Sequence, residues 1–338
     1  MKVDICAKNG SYEIHIGKGL IENDFLSTYK NYAVVTDEAV YSLYGRRFEK
    51  EVCYILKPGE VSKNLREYEN ILNFMLQRNI GRHDALIALG GGVVGDIAGF
   101  AAATFKRGVK FVQIPTTLLA QVDSSVGGKV AVNLPDGKNM VGAFYQPSIV
   151  VADTNTLQTL DRRQYAAGMA EVIKYAYIAD EQLYLHLREE NYTVEKIVAR
   201  CCKIKARYVE EDPFDQGIRM QLNYGHTIGH AIEAAEGYGS FLHGEAVALG
   251  MVLAAYVGEK LEVSPCGLEE DTKMLLRKNN LPFEVERDVL RKTFDYLQAD
   301  KKVENGTVDF ILIKKIGQAV LHKVTIKELI AILKEYPV

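Results

Sequence analysis

The sequence predicts a two-domain α/β protein: a Rossmann-like N-terminal domain over residues 1–153 and a mainly α-helical C-terminal domain over residues 154–338. Three observations carry this. The first half alternates short apolar runs with amphipathic stretches, the writing of a mostly parallel sheet with covering helices. Beyond Thr154 long helical periodicities follow one another and β-branched runs become rare. A chain of 338 residues also exceeds the ~250–300 at which a single core stops growing.

In order, strands are expected at Tyr12–Ile16, Tyr32–Thr36, Glu51–Leu56, Ala85–Leu89, Phe111–Ile114 and Ile149–Ala152. Leu65, Tyr68, Leu72, Met75 and Leu76 recur at three- and four-residue spacings, which predicts a helix that completes a βαβ unit. In the second half, the uncharged run Ala246–Gly258 is shorter than the ~20 residues that span a bilayer, so it reads as a buried helix. Near the end TVDFILI and AVLHKV flank KKIGQ, whose glycine permits the tight turn of a hairpin.

Composition narrows the function. Lys+Arg 41 against Asp+Glu 44 gives a net charge of −3, and basic residues never exceed adjacent pairs. No footprint for nucleic acid or an anionic membrane is written here. The opening MKVDICAKNGSYEIHIGKG lacks the apolar core of a secretory signal, so a cytoplasmic location is expected. Five cysteines, with no C-x-x-C spacing, suggest reduced packing residues.

Three constellations carry chemistry. In ALIALGGGVVGDIAGFAAATF, an apolar strand runs through Gly90, Gly91 and Gly92 to Gly95 and into a small-residue helix. Such glycines admit a pyrophosphate to a helix N-terminus, or simply make a tight strand-to-helix turn. The dinucleotide fingerprint is incomplete, because FVQIPTTLL follows with no acidic residue for a ribose. Asp37, ending YAVVTD, is either that ribose ligand or a helix cap.

LNYGHTIGHAIE sets His226 and His230 four residues apart on one helical face, with Asn223 and Glu233 near the same stripe. Thr227 stands where an H-E-x-x-H metalloprotease needs its glutamate, so that reading is rejected. His243 opens HGEAVALGM, and Glu171 lies one turn from Lys174 in GMAEVIKY. Two imidazoles and a carboxylate, Glu171, His226 and His243, make a catalytic metal set with open positions; Glu171 could equally pair with Lys174 on a surface. The third constellation, QVDSSVGGKVAVNLPDGKNMVGAF, places Asp123, Lys129, Lys138 and Asn139 in a Gly-rich stretch suited to a phosphate. Arg107, Lys205, Arg219 and Lys302 are further anion holders or solvated charges.

GGGVVGD, IPTTLLAQVDSSVGGKVAVN, GKNMVGAFYQP, GMAEVIKY, LNYGHTIGHAIE, HGEAVALGM and the late DKK, in this order, resemble the 3-dehydroquinate synthase family of sugar phosphate cyclases over nearly the whole chain. The resemblance implies a dehydroquinate synthase-like fold, an N-terminal nucleotide-binding domain and a C-terminal metal-binding domain with the active site in the cleft between them. It implies NAD on Gly59, Glu60, Lys63, Gly92, Val93, Val94, Gly95, Asp96, Thr116, Thr117, Lys129, Lys138, Thr156, Leu157 and Thr159, with Asp37 near the adenosine ribose. Zinc or cobalt would sit on Glu171, His226 and His243. The implied substrate is a sugar phosphate acid, 3-deoxy-D-arabino-heptulosonate 7-phosphate. Its phosphate would meet Lys129, Asn139, Asn223, His230 and Lys302, with Arg107 crossing a homodimer interface, and its carboxylate would meet Lys205 and Arg219. Lys174 and Asp123 complete the implied catalytic set, and His230 or the substrate phosphate carries protons. Asp136 departs from the family's usual uncharged residue, and Lys301 competes with Lys302 for the anion. A cyclase of a neutral sugar phosphate would not need Lys205 with Arg219, and a polyol dehydrogenase of related fold would not need a phosphate site.

Overall fold

The structure is a computed structural model that describes residues 1–23, 25–135, 137–237, 240–299 and 306–337. Asp136, Lys301 and Lys302 lie outside the described residues. The chain forms two compact units, residues 1–161 with 194–214 and residues 162–193 with 215–338. In place of a single cut near residue 153, the chain passes from one unit to the other at 161, 193 and 214.

The first unit opens with β1 (Lys2–Ala7), β2 (Gly10–Gly17), β3 (Tyr32–Asp37), α1 (Glu38–Tyr44) and β4 (Cys53–Leu56). It continues through α2 (Leu65–Gln77), β5 (Ala85–Gly90), α3 (Gly92–Thr104), β6 (Lys110–Pro115), β7 (Lys129–Leu134), β8 (Gly137–Phe144) and β9 (Ile149–Asp153). A seven-stranded sheet has the order β1-β2-β9-β6-β5-β3-β4, parallel except where β1 pairs with β2. Every residue of β5 is buried, as expected of the uninterrupted apolar ALIALG in a strand covered on both faces. β1 alternates exposed and buried residues, so only Val3, Ile5 and Ala7 need cover. β9 ends on Asp153, 3% exposed, whose carboxylate accepts from the backbone N–H groups of Gly19 (2.9 Å), Ile21 (3.0 Å) and Asn155 (2.9 Å).

After α4 (Arg162–Ala179) and α5 (Glu181–Glu189), the chain returns to the first unit as α6 (Val194–Glu211), which packs on β1 and β2. The second unit then resumes with α7 (His226–Ala235), α8 (His243–Lys260), α9 (Leu268–Lys278) and α10 (Arg287–Ala299). The expected hairpin is β10 (Thr307–Lys315) with β11 (Gln318–Thr325), followed by α11 (Ile326–Lys334).

α8 is buried from Gly244 to Gly258, which is why its sequence is apolar on every face. It meets its neighbours backbone to backbone. A Cβ on Gly250 would lie 2.0 Å from the Gly225 carbonyl oxygen, and one on Gly244 would lie 1.9 Å from that of Ala167. The turn before α7 thus packs on the middle of α8, and the first turn of α8 packs on α4. Glu171, His226 and His243 sit on those three helices. Among the described residues, no helix is long and apolar enough to cross a membrane.

Candidate active site

In the second unit, Glu171 is fully buried on α4 and forms an ion pair one turn away with Lys174, itself 2% exposed. The surface-pair reading of these two is thereby excluded. His226 opens α7 and His243 opens α8, and their Nε2 atoms lie 3.5 and 3.6 Å from the same Glu171 Oε1. The outer nitrogens are also engaged. His226 Nδ1 donates to the Tyr224 carbonyl at 3.1 Å, and His243 Nδ1 lies 3.3 Å from Glu233 Oε2. His230, one turn along α7, is exposed, and its ligand atoms and those of His226 and His243 fall within 4.8 Å of one another.

Burial, then the charge of Lys174, hold His226 well below the usual imidazole range. At His243 burial pulls the same way, but hydrogen bonds to Glu171 and Glu233 push it up to about 9. The donor set fits a divalent cation: a buried carboxylate and two imidazoles whose Nε2 atoms face it, with a second carboxylate behind His243. Arg219, 2% exposed, and Asn223 belong to a short 3₁₀ segment, Ile218–Asn223, that leads into α7.

In the first unit, Lys63, 5% exposed, donates to Asp96 Oδ2 and Asn139 Oδ1, both at 2.6 Å. Burial pushes the Asp96 carboxyl up, against the pull of Lys63. Asn139 holds a left-handed backbone (φ 57°), and its N–H donates to Asn133 Oδ1 at 2.8 Å; Asn133 in turn donates to Glu60. β5 ends at Gly90 and α3 begins at Gly92, so the helix N-terminus with its unpaired N–H groups follows the glycines as expected. Val94 packs into the core at 2% exposure, which leaves only its backbone for a ligand. Thr116, at the C-terminal end of β6, is buried, and its hydroxyl has no hydrogen-bond partner among the described residues, a feature that fits a bound cofactor. Thr117 accepts from the Ala120 N–H, Thr156 from Gln121, and Thr159 pairs with Tyr44. Leu157 is buried.

Lys205, on α6, donates to Asp123 at both its carbonyl (2.8 Å) and Oδ1 (2.9 Å). Lys129 and Lys138 lie on the β7–β8 hairpin. Asp37 caps α1, its Oδ1 accepting from the Val40 N–H at 2.9 Å. Gly59 precedes the turn that carries Glu60. Arg107 is exposed beyond the far end of α3, whose last residue, Thr104, lies ~12 Å along the helix axis from Asp96 at 1.5 Å per residue. Sequence reasoning did not single out Asn133, Arg163 or Glu245. Arg163 grips Glu245 at 2.6 and 2.8 Å, and Glu245 closes the first turn of α8 behind His243.

The 3-dehydroquinate synthase N-terminal family model matches residues 53–167, and the C-terminal model matches residues 168–303. A 3-dehydroquinate synthase of Enterococcus faecalis (strain ATCC 47077 / OG1RF) is 42% identical over 354 residues, covering 98% of each chain. Among solved structures, a 2-deoxy-scyllo-inosose synthase complexed with carbaglucose-6-phosphate, NAD+ and Co2+ matches with a TM-score of 0.85 at 27% identity, over 99% of both chains. ValA, a 2-epi-5-epi-valiolone synthase from Streptomyces hygroscopicus subsp. jinggangensis 5008 with NAD+ and Zn2+ bound, matches with a TM-score of 0.86 at 25% identity, over 97% of both.

Proposed function

This chain belongs to the 3-dehydroquinate synthase family, and from that premise we propose how its own residues share the reaction. It is an NAD- and divalent-metal-dependent lyase of the shikimate pathway. It converts 3-deoxy-D-arabino-heptulosonate 7-phosphate to 3-dehydroquinate and phosphate by transient oxidation, β-elimination, reduction, ring opening and intramolecular aldol closure. When bound, NAD takes up and returns one hydride within a turnover, and the cation polarises vicinal substrate oxygens.

Glu171, His226 and His243 hold the cation, Zn2+ or Co2+, and Lys174 fixes the Glu171 carboxylate. The convergence of both Nε2 atoms on Glu171 Oε1 is the observation that carries this assignment. Residues 59–63, 92–96, Thr116, Thr117, Lys129, Lys138, 156–159 and Asp37 hold NAD. The helix start after Gly90 and the buried Thr116 hydroxyl, without a partner among the described residues, support that placement. Elimination requires a seat for the departing phosphate and a carrier for the proton. Lys129, Asn139, Asn223 and His230, with Lys302, supply the seat. The exposed His230 imidazole and the phosphate itself carry protons. Lys205 and Arg219, 6% and 2% exposed, hold the substrate carboxylate, where a sheltered cation binds an anion more strongly. Asp123 positions Lys205. Arg107 serves the phosphate of the neighbouring subunit in a homodimer, a role its place beyond the end of α3 supports. The nucleotide work falls to residues 1–161 and the metal work to residues 162–193 and 215–338.

The test follows inorganic phosphate from 3-deoxy-D-arabino-heptulosonate 7-phosphate with catalytic NAD and Zn2+, alongside product mass and NADH absorbance. Phosphate with dehydroquinate and no lasting NADH is expected. An Arg219→Gln chain that slowed the acid substrate no more than a neutral sugar phosphate would overturn the carboxylate assignment.

A further inference from the structure

Behind the proposed metal ligands, the two imidazoles are held differently. His226 Nδ1 rests on a neutral backbone carbonyl, that of Tyr224 at 3.1 Å. His243 Nδ1 faces a carboxylate, Glu233 Oε2 at 3.3 Å, and that carboxylate is 5% exposed. Glu233 lies seven residues after His226 on α7, two turns along the same stripe, so one helix supplies both a ligand and the support for a ligand on another helix. A buried carboxylate accepts hydrogen bonds and donates none, so it selects the His243 tautomer with the proton on Nδ1 and the lone pair on Nε2, toward Glu171.

We infer that Glu233 is a positioning residue for the metal. It locks the His243 ring so that Nε2 is the donor, and its negative charge on the Nδ1–H makes Nε2 the more basic ligand. This rests on the assignment of His243 as a ligand made above. Its removal should weaken the metal site without touching the nucleotide-binding residues, which all belong to the other unit.

The experiment uses the full chain stripped of metal and reloaded with Zn2+ alone, its affinity read by competition with a chromophoric chelator. Glu233→Gln keeps the shape of the side chain and removes its charge. It should raise the Zn2+ Kd by about 10–100-fold and leave the NAD Kd within about twofold of the parent. In a His243→Ala background the same change should have no further effect. Should His243→Ala leave Zn2+ affinity intact, the ligand assignment itself fails. Should His243→Ala weaken binding while Glu233→Gln does not, or should the two losses multiply, Glu233 does not act through His243 and the inference fails. If Glu233→Gln does not fold, nitrogen shifts of the His243 ring in the Zn2+-loaded parent still decide. A proton on Nδ1 supports the inference, and a proton on Nε2 overturns it.

Discussion

Gly250→Ala would place a methyl carbon 2.0 Å from the Gly225 carbonyl oxygen and 2.9 Å from the Gly229 nitrogen. A carbon and a carbonyl oxygen settle no closer than ~3.3 Å, so α7 and α8 must part locally by roughly 1 Å. Both atoms in the way are backbone, and they are joined by the 2.9 Å hydrogen bond from Gly229 N–H to Gly225 that closes the first turn of α7. No side chain can rotate aside. Alanine favours a helix over glycine by about 1 kcal/mol, but overpacking costs about 1–3 kcal/mol and a loosened backbone hydrogen bond about 1 more. The net expectation is a loss of about 1–3 kcal/mol. His226 follows Gly225 directly, so the same shift moves its Nε2 relative to Glu171. Because metal–ligand distances tolerate only ~0.2 Å, zinc affinity should fall at least about tenfold. Thermal melts of the stripped and zinc-loaded chains, with chelator competition, measure both effects. A Tm equal to or above the parent's, with parental zinc affinity, would refute the reasoning, since helix propensity alone would then have decided the outcome.

Asp153→Ala strands three backbone N–H groups, two of them near buried Ile21, and should cost about 2–4 kcal/mol in urea or thermal unfolding; a loss under 1 kcal/mol would mean that water replaces the carboxylate. At pH 8 a thiol reagent should titrate the exposed Cys6 and Cys266 quickly and the buried Cys53, Cys201 and Cys202 only on unfolding. Burial pushes the Cys53 thiol up to about 11 and that of Cys202 up to about 12, so these thiols stay neutral in the fold while an unfolded chain ionises near pH 9. Their contribution to stability is complete below pH 9 and is lost as pH rises toward 11 and 12, by about 1.4 kcal/mol per thiol per pH unit. A Cys53→Ala, Cys202→Ala chain should therefore show a shallower decline between pH 9 and pH 10.5 in denaturant titrations, and an unchanged slope would sink the assignment. Chelation should abolish phosphate release, with recovery on adding Zn2+ or Co2+, and Glu171→Gln should prevent that recovery; recovery by the variant would remove Glu171 from the ligand set.

What could be read directly was whatever local pattern writes. The apolar ALIALG and the i, i+4 histidines declare a central strand and a helix face, and all six anticipated strands lie within two residues of their observed bounds. β4 starts later, at Cys53, after a 3₁₀ turn. β1 went unread because only Val3, Ile5 and Ala7 carry its inward face, and the helix that covers them is some two hundred residues away, as the Cys6 to Glu210 hydrogen bond shows. The β7–β8 hairpin read as a Gly-rich loop, since β8 has no buried residue and so no apolar alternation. Composition cannot say whether an i, i+3 carboxylate and lysine face water or core. Only packing made Glu171 and Lys174 a buried pair. Glu233 was visible on the histidine stripe, but its target, His243, is reached only once α7 and α8 are in contact.

The return of α6 to the first unit has a consequence for how the chain is made. A ribosome that has emitted residues 1–161 has delivered every strand of the large sheet, yet Val3, Ile5 and Ala7 still await a helix that emerges after α4 and α5. The N-terminal half therefore cannot finish folding before much of the other half has left the exit tunnel. A gene fragment ending at residue 161 should yield an aggregating product, whereas one extended to residue 214 carries its own cover, with α4 and α5 as an insertion.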